Sequence, residues 1–368
     1  CYKLWDYGGI MRKSMWHENK QEDRIVKRNG KIELLRFLGV VFIMNAHFGY
    51  NADRPFLGGW YYVEFFFIIT GFFTMRRFFH EDVVGGTERV RTALTYTFRK
   101  FVKFLPYTTG AILITYVANN WKYLQAGQPG NFLHSLENMP AEMLYLSAAN
   151  PDGSEMFTIW FLSAMFLVFP LFCLLLMMKN KPLAGWICFA TATFYYLHTY
   201  DYGSHVFPNQ LVRAFAGLCL GACVSMLSEK LGQLRLGSGW RMILSMVEVV
   251  TYLIPILTCY KHITLLRGNL ICFIVSVAII FSGQSLIPDM SCKLFLWLGK
   301  LSMPLYVWHV AVVSVIFARF TGLSTTKQEL IFWGGSFAAA LVNMGILAWV
   351  HRKSCQNREA VSEEPARK

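Results

Sequence analysis

Apolar runs of roughly 20 residues, each about 30 Å long as a helix, recur from residue 32 to residue 350 with short polar breaks between them. No other feature restricts this chain so severely. Backbone in hydrocarbon must satisfy its own N–H and C=O groups, so such runs fold as helices or close into a barrel. The alternating pattern of barrel strands is absent. With 55% hydrophobic and only 15% charged residues, the chain is too apolar for a soluble two-domain protein. The reading is an all-α polytopic membrane protein of about ten helices. They fall at 32–50, 60–79, 104–120, 157–178, 183–199, 209–227, 240–259, 268–287, 299–318 and 329–350.

The net charge of +13 would suit a nucleic-acid partner if it formed a patch, but location decides otherwise. Most of the 35 Lys and Arg fall in the tails and in one alternate set of connections. An even helix count puts both termini on one side, and the excess of cations identifies that side as cytoplasmic. Positive charge is then mainly topological, and no nucleic acid is expected. Residues 1–31 lack the apolar core of a cleavable signal peptide and read as a cytoplasmic tail. Residues 32–350 read as one transmembrane domain and 351–368 as a second cytoplasmic tail. The nine cysteines include no CxxC pair, and Cys173, Cys188, Cys219, Cys223 and Cys272 lie in apolar runs, as small core hydrophobes do. Neither a disulfide framework nor a metal site is expected.

Two connections exceed simple turns. The segment 80–103, ending in basic and aromatic residues before Pro106, reads as an interfacial helix lying flat on the inner face. The outer segment 121–156 has turns at "QAGQPG" and "NPDGSE" around the helical-looking "FLHSLENMPAEMLYLSA", and is suited to cap an outward-facing cavity.

Ionisable residues inside the spans need a reason to be there. Arg36 and His47 are eleven positions apart in the first run. At 100° per residue this is three turns plus about 20°, so both project from one face, roughly 16 Å apart along the axis. A charged group at mid-membrane costs at least about 2.5 kcal/mol unless it faces protein or water, which argues for a polar cavity. Snorkelling of Arg36 and an interfacial His47 is the bland alternative. In "GGWYYVEFFFIITGFF", Glu64 lies about as deep as His47, and a carboxylate on an imidazole would fix its tautomer and raise its basicity. Trp160 and Ser163 in "FTIWFLSAMF" and Arg213 in "FPNQLVRAF" share that depth, although Trp160 alone also suits the interfacial aromatic belt. Gly217 and Gly221 form a small-xxx-small pair, explained by close helix packing rather than phosphate binding. Ser302, Tyr306 and His309 follow at intervals of four and three on one helical face.

Together these segments resemble the acyltransferase 3 family of integral membrane acyltransferases over nearly the whole chain. The arginine-x10-histidine signature matches Arg36 and His47, and the acidic-FF segment matches "VEFFFIITGFF" with Glu64. The basic segment before a proline matches "FRKFVKFLP", "WFLS" matches Trp160 to Ser163, and "LG-x-x-S-x-x-LY-x-x-H" matches Leu298 to His309. The departures are Thr70 in place of the usual serine, and Lys100 and Lys103 where arginines are common; lysine keeps the charge but loses the planar fork.

The resemblance implies transfer of an acyl group, usually acetyl, from cytoplasmic acyl-coenzyme A to a hydroxyl of a cell-envelope polysaccharide or lipid-linked sugar, in the cytoplasmic membrane and without a metal. It implies His47 as general base or nucleophile with Arg36 and Glu64 beside it. Arg76, Arg77, Arg99, Lys100 and Lys103 would attract the coenzyme's phosphates. Trp160, Ser163, Arg213, Ser302, Tyr306 and His309 would line the acceptor side. The developing oxyanion could be met by Arg36, Tyr306 or His309, and Trp60, Tyr61, Tyr62 and Trp160 could stack on sugar rings or simply mark the interface. A transporter or flippase without acyl chemistry is the competing class, although inverted repeats and paired broken helices are not visible.

Overall fold

The structure is a computed structural model describing residues 28–48, 57–79, 85–149, 154–199, 209–261, 263 and 265–363. The basic tail up to residue 27 and the stretch 80–84 lie outside the described residues, as do the last five. All regular structure among the described residues is helical.

Helix α1 (Gly30–Phe48) opens beneath Asn29, whose Oδ1 accepts from the Lys31 N–H at 3.0 Å. A Cβ on Gly30 would stand 1.9 Å from the Met290 carbonyl oxygen, so only glycine lets the chain pass that close. A short 3-10 turn, Leu57–Tyr61, leads into α2 (Tyr62–Phe78). Then come α3 (Gly86–Gln125), the short α4 (Pro129–Ser135) and α5 (Met139–Met143), and α6 (Trp160–Leu176). Asn180 caps α7 (Lys181–Phe194) by accepting from Leu183 N–H, and α7 runs on into one π-helical turn, Tyr195–Thr199. The remainder is α8 (Asn209–Gln233), α9 (Ser238–Tyr260), α10 (Leu266–Ser282), α11 (Lys293–Arg319) and α12 (Thr325–Glu363).

Helix occupies each of the ten expected stretches, and six helical segments are long and apolar enough to cross a membrane: α3, Phe157–Leu176, α8, α9, α11 and Thr325–Lys353. A shorter apolar helix spans Arg267–Ser282. The first helix falls short because Lys31, Glu33 and Arg36 crowd its opening turns. Those charges are paired: Lys31 Nζ is 2.7 Å from Glu248 Oε1, and Glu33 receives both Arg28 and Arg36.

One expectation is overturned. The segment 80–103 is not a separate interfacial helix; from Gly86 onward it is the first half of one 40-residue helix that continues through Pro106 to Gln125. Proline lacks the N–H that would bond to the Val102 carbonyl, yet the helix runs on, with other side chains bracing the backbone around it. Asn343 Nδ2 on α12 donates to the Pro106 carbonyl at 3.2 Å, and Thr109 Oγ1 donates to Leu105 O at 2.9 Å.

Two helices organise the bundle. Helix α11 packs along α1, α3 and α12, while α8 packs along α2, α6, α7 and α10. The α2–α8 seam is the most extensive, and glycine makes it possible. A Cβ on Gly217 would meet Phe67 Cβ at 2.6 Å; one on Gly221 would meet Ile68 O at 2.2 Å; one on Gly71 would meet Leu218 O at 2.1 Å. The small-xxx-small reading of Gly217 and Gly221 is thus a packing fact. Cys173, Cys188, Cys219 and Cys272 are buried free thiols and Cys223 is half-buried.

Candidate functional site

The polar groups of the spans meet where α1, α2, α6, α8 and α11 converge. His47, in the last turn of α1, faces His309 in the middle of α11, with His47 Nδ1 2.9 Å from His309 Nε2. His309 is fully buried, and its Nδ1 is 3.2 Å from the Leu305 carbonyl one turn back. His47 is half-buried, with the Phe157 ring edge-on at 4.9 Å. Among the described residues, no carboxylate contacts either imidazole.

The pairing of Glu64 with His47 expected from depth is therefore corrected. Glu64 Oε1 accepts from Arg213 Nε at 2.5 Å, and Oε2 accepts from the Tyr196 hydroxyl. Both ionic side chains are 3% exposed. Rotation about the helix axis cannot be read from position along the chain, and α2 turns Glu64 towards α8. The Arg213 guanidinium lies over the Trp160 ring at 5.2 Å, so Trp160 is anchored in this network. Tyr196 reaches Glu64 from the π turn at the end of α7, a widened turn that no hydrophobic pattern announces.

Tyr306 joins the two halves. Its hydroxyl donates to the Thr158 carbonyl at 2.9 Å, and its ring centroid is 6.1 Å from that of His309. Ser163 holds the connection after α5: its hydroxyl donates to Tyr145 O at 2.6 Å and accepts from Ala148 N–H at 2.8 Å. Gln210 Nε2 donates to Ala148 O at 2.9 Å. Tyr145 has a positive φ of 55°, a conformation that side-chain residues hold only when neighbours enforce it. Ser163 and the Thr108–Tyr145 hydroxyl contact at 2.7 Å do so. Ser302 donates to Gly299 O within its own helix. These two serines thus serve backbone, whereas Tyr306, Trp160, Arg213 and His309 line one contiguous polar core. Tyr61 and Tyr62 are buried at 4% and 0% exposure, which excludes the stacking on sugar rings that the sequence allowed; Trp60 is exposed.

Arg36 stands away from this centre, in an Arg28–Glu33–Arg36 cluster at the opposite end of α1, with its Nη1 3.1 Å from Glu33 Oε2. Glu33 was legible as an i,i+3 partner of Arg36, a pattern the sequence reading did not use. The expected phosphate-binding cations divide. Arg76 turns towards α8 and α10, donating to Ser228 Oγ at 3.0 Å and Phe281 O at 3.3 Å. Arg77 and Lys100 each lie against the Tyr96 ring, 5.3 Å and 5.1 Å from its centroid. Arg99 and Lys103 lie on the same stretch of α3, half-buried and exposed respectively.

Outside the spans, burial raises the Glu142 carboxyl above its usual range; the hydroxyl and backbone donors around it offset this only in part. No group of three or more metal-ligating side chains occurs among the described residues.

In comparisons with known proteins, the family model described as "Acyltransferase domain", that of the acyltransferase 3 family, matches residues 29–350. Searches of curated proteins and of solved structures gave no match.

Proposed function

Since this chain belongs to the acyltransferase 3 family, we propose that it is a membrane acyltransferase that moves an acyl group, usually acetyl, from cytoplasmic acyl-coenzyme A to a hydroxyl of an envelope polysaccharide or lipid-linked sugar. The observation that carries this reading is the His47–His309 contact in a chain the family matches along nearly its whole length. It gives one half-exposed imidazole a partner, where an acyl-transfer site needs an oriented ring.

The chemistry makes limited demands. A sugar hydroxyl is a weak acid and must lose its proton as its oxygen attacks the thioester carbonyl. His47 either takes that proton or takes the acyl group first; both routes use one ring lone pair. Coenzyme phosphates enter at the face where α1 begins and α2 ends, which the distribution of cations along the sequence assigns to the cytoplasm. There Arg77 and Lys100, on two different helices around Tyr96, make a cationic pair suited to a phosphate. Arg99 and Lys103 extend the field along α3. Arg36, roughly 16 Å from His47 along the helix, flanks the path of the pantetheine arm rather than the reacting carbonyl. The Glu64–Arg213–Tyr196 network acts as scaffold, tying α2, α8 and the π turn into a wall beside Tyr306 and Trp160.

The test is release of coenzyme A and transfer of label when purified protein in liposomes is given acetyl-labelled acetyl-coenzyme A and envelope glycans. Transfer to glycan, or slow hydrolysis in its absence, is expected. His47→Ala is expected to abolish both while the chain still inserts. Uptake of a glycan precursor with no release of coenzyme A, or normal turnover by His47→Ala, would overturn the reading.

A further inference from the structure

The two imidazoles differ in what surrounds them, and that difference specifies their protons. His309 has a backbone carbonyl, Leu305 O, 3.2 Å from its Nδ1. A carbonyl only accepts, so the proton of a neutral His309 belongs on Nδ1, leaving a bare lone pair on Nε2. That lone pair faces His47 Nδ1 at 2.9 Å, a separation that needs one hydrogen between the two nitrogens. His47 must supply it. A neutral ring protonated on Nδ1 carries its own lone pair on Nε2.

Ring geometry supports this assignment. The centroids are 5.2 Å apart and the planes differ by 9°. Adding one ring radius at each end of the 2.9 Å contact reproduces that centroid separation, so the contact lies along the line joining the rings. With planes nearly coincident, the rings lie edge to edge, not face to face. An N–H then points straight along the partner's in-plane lone pair. The opposite assignment would set a lone pair of His309 against the Leu305 carbonyl. Two protons on His309 would bury an imidazolium that no carboxylate among the described residues contacts, since Glu64 is taken up by Arg213 and Tyr196.

We propose that His309 is a positioning residue that holds the proton of His47 on Nδ1, so that Nε2 of His47 is the nitrogen that performs the chemistry. The rest of the apparatus is the Leu305 carbonyl, rigid within α11. This inference rests on the reading of His47 as the reacting group. By the base route, Nε2 takes the acceptor O–H proton as the oxygen bonds to the carbonyl carbon. The C–S bond then breaks, and the departing thiolate recovers the proton from Nε2. By the nucleophile route, Nε2 bonds to that carbon and the C–S bond breaks. The acceptor oxygen then displaces Nε2, and its proton goes to the thiolate. In both routes Nδ1–H stays with His309, which stabilises the cationic ring without receiving the proton.

Nitrogen-15 NMR of histidine-labelled protein, reconstituted without any acyl donor, reads this directly. Protonated and bare ring nitrogens resonate far apart, and His47→Gln identifies the His47 signals. Wild type is expected to show His47 protonated on Nδ1 and bare on Nε2. In His309→Leu the acceptor is gone; the tautomers should mix and kcat fall about 10²- to 10⁴-fold with KM for acetyl-coenzyme A unchanged. His309→Gln, whose amide oxygen can accept from Nδ1–H, is expected to recover most of that loss and the wild-type tautomer. A merely structural histidine would let both variants fail alike. Protonation of His47 on Nε2 in wild type, or an unchanged His47 spectrum in His309→Leu, would overturn the proposal. Failure of the wider reading looks different: the expected spectrum in a protein that never consumes acetyl-coenzyme A.

Discussion

Replacing Arg213 by methionine removes the counter-charge of a carboxylate that has almost no water. Glu64 and Arg213 are each 3% exposed, and after the change Glu64 keeps, among the described residues, the Tyr196 hydroxyl alone. Removing one partner of such a pair costs about 3–5 kcal/mol, because the remaining charge stays buried. The guanidinium also leaves the Trp160 ring, worth up to about 2 kcal/mol when desolvated, so the upper half of that range is expected. This lowers the folded-to-unfolded ratio by roughly three orders of magnitude. Glu64→Gln alone leaves the arginine cation unbalanced and should also be costly. The double variant Glu64→Gln/Arg213→Met removes both charges and should regain at least about 2 kcal/mol over the sum of the single losses. Unfolding by dodecyl sulfate titration in mixed micelles, followed by helix signal and tryptophan fluorescence, supplies the cycle. Single losses that add to within about 0.5 kcal/mol in the double variant would refute the reasoning, because they would show that the two charges do not compensate one another. Turnover adds a second readout. Acting as scaffold, the double variant should recover activity in proportion to its folded fraction; a carboxylate that oriented His47 would leave it as impaired as Glu64→Gln.

Gly221→Ala should lower the melting temperature in mild detergent markedly, since its Cβ would meet Ile68 O at 2.2 Å and overpacking of this kind costs about 1–3 kcal/mol or more. An unshifted melt would mean that α2 and α8 are not so closely apposed. Arg77→Gln with Lys100→Gln should raise KM for acetyl-coenzyme A about 10- to 100-fold with kcat nearly unchanged, as loss of charge-assisted contacts made equally in ground and transition states requires. A fall in kcat alone would remove these cations from the phosphate site. Burial raises Glu142 above 4.5 in the folded state, so the folded chain binds more protons than the unfolded one across that window. Stability is then fullest below the unfolded pKa and declines as pH rises towards the folded pKa. Glu142→Gln should flatten that decline and stabilise the protein at neutral pH relative to wild type; an unchanged slope of melting temperature against pH would contradict it.

Much of this molecule is written locally. Apolar run length specifies where helices form, because a peptide group in lipid has no other partner than its own helix. The glycines at 217 and 221 announce a close seam, because only a missing side chain lets two backbones approach. That Arg36 and His47 share a face, and that Ser302, Tyr306 and His309 share another, follows from helical period alone. The sequence did not disclose which face meets which. The sequence puts Glu64 and His47 at similar depth, yet the rotation of α2 gives the carboxylate to Arg213 and that of α11 gives the imidazole to His309. Tyr196 depends on a π turn, and the brace on the Pro106 carbonyl comes from an asparagine more than two hundred residues later. Hydrophobicity acts on each segment by itself and can be read along the chain. A hydrogen bond between helices depends on their relative rotation, tilt and depth, which are settled only when all the helices pack at once.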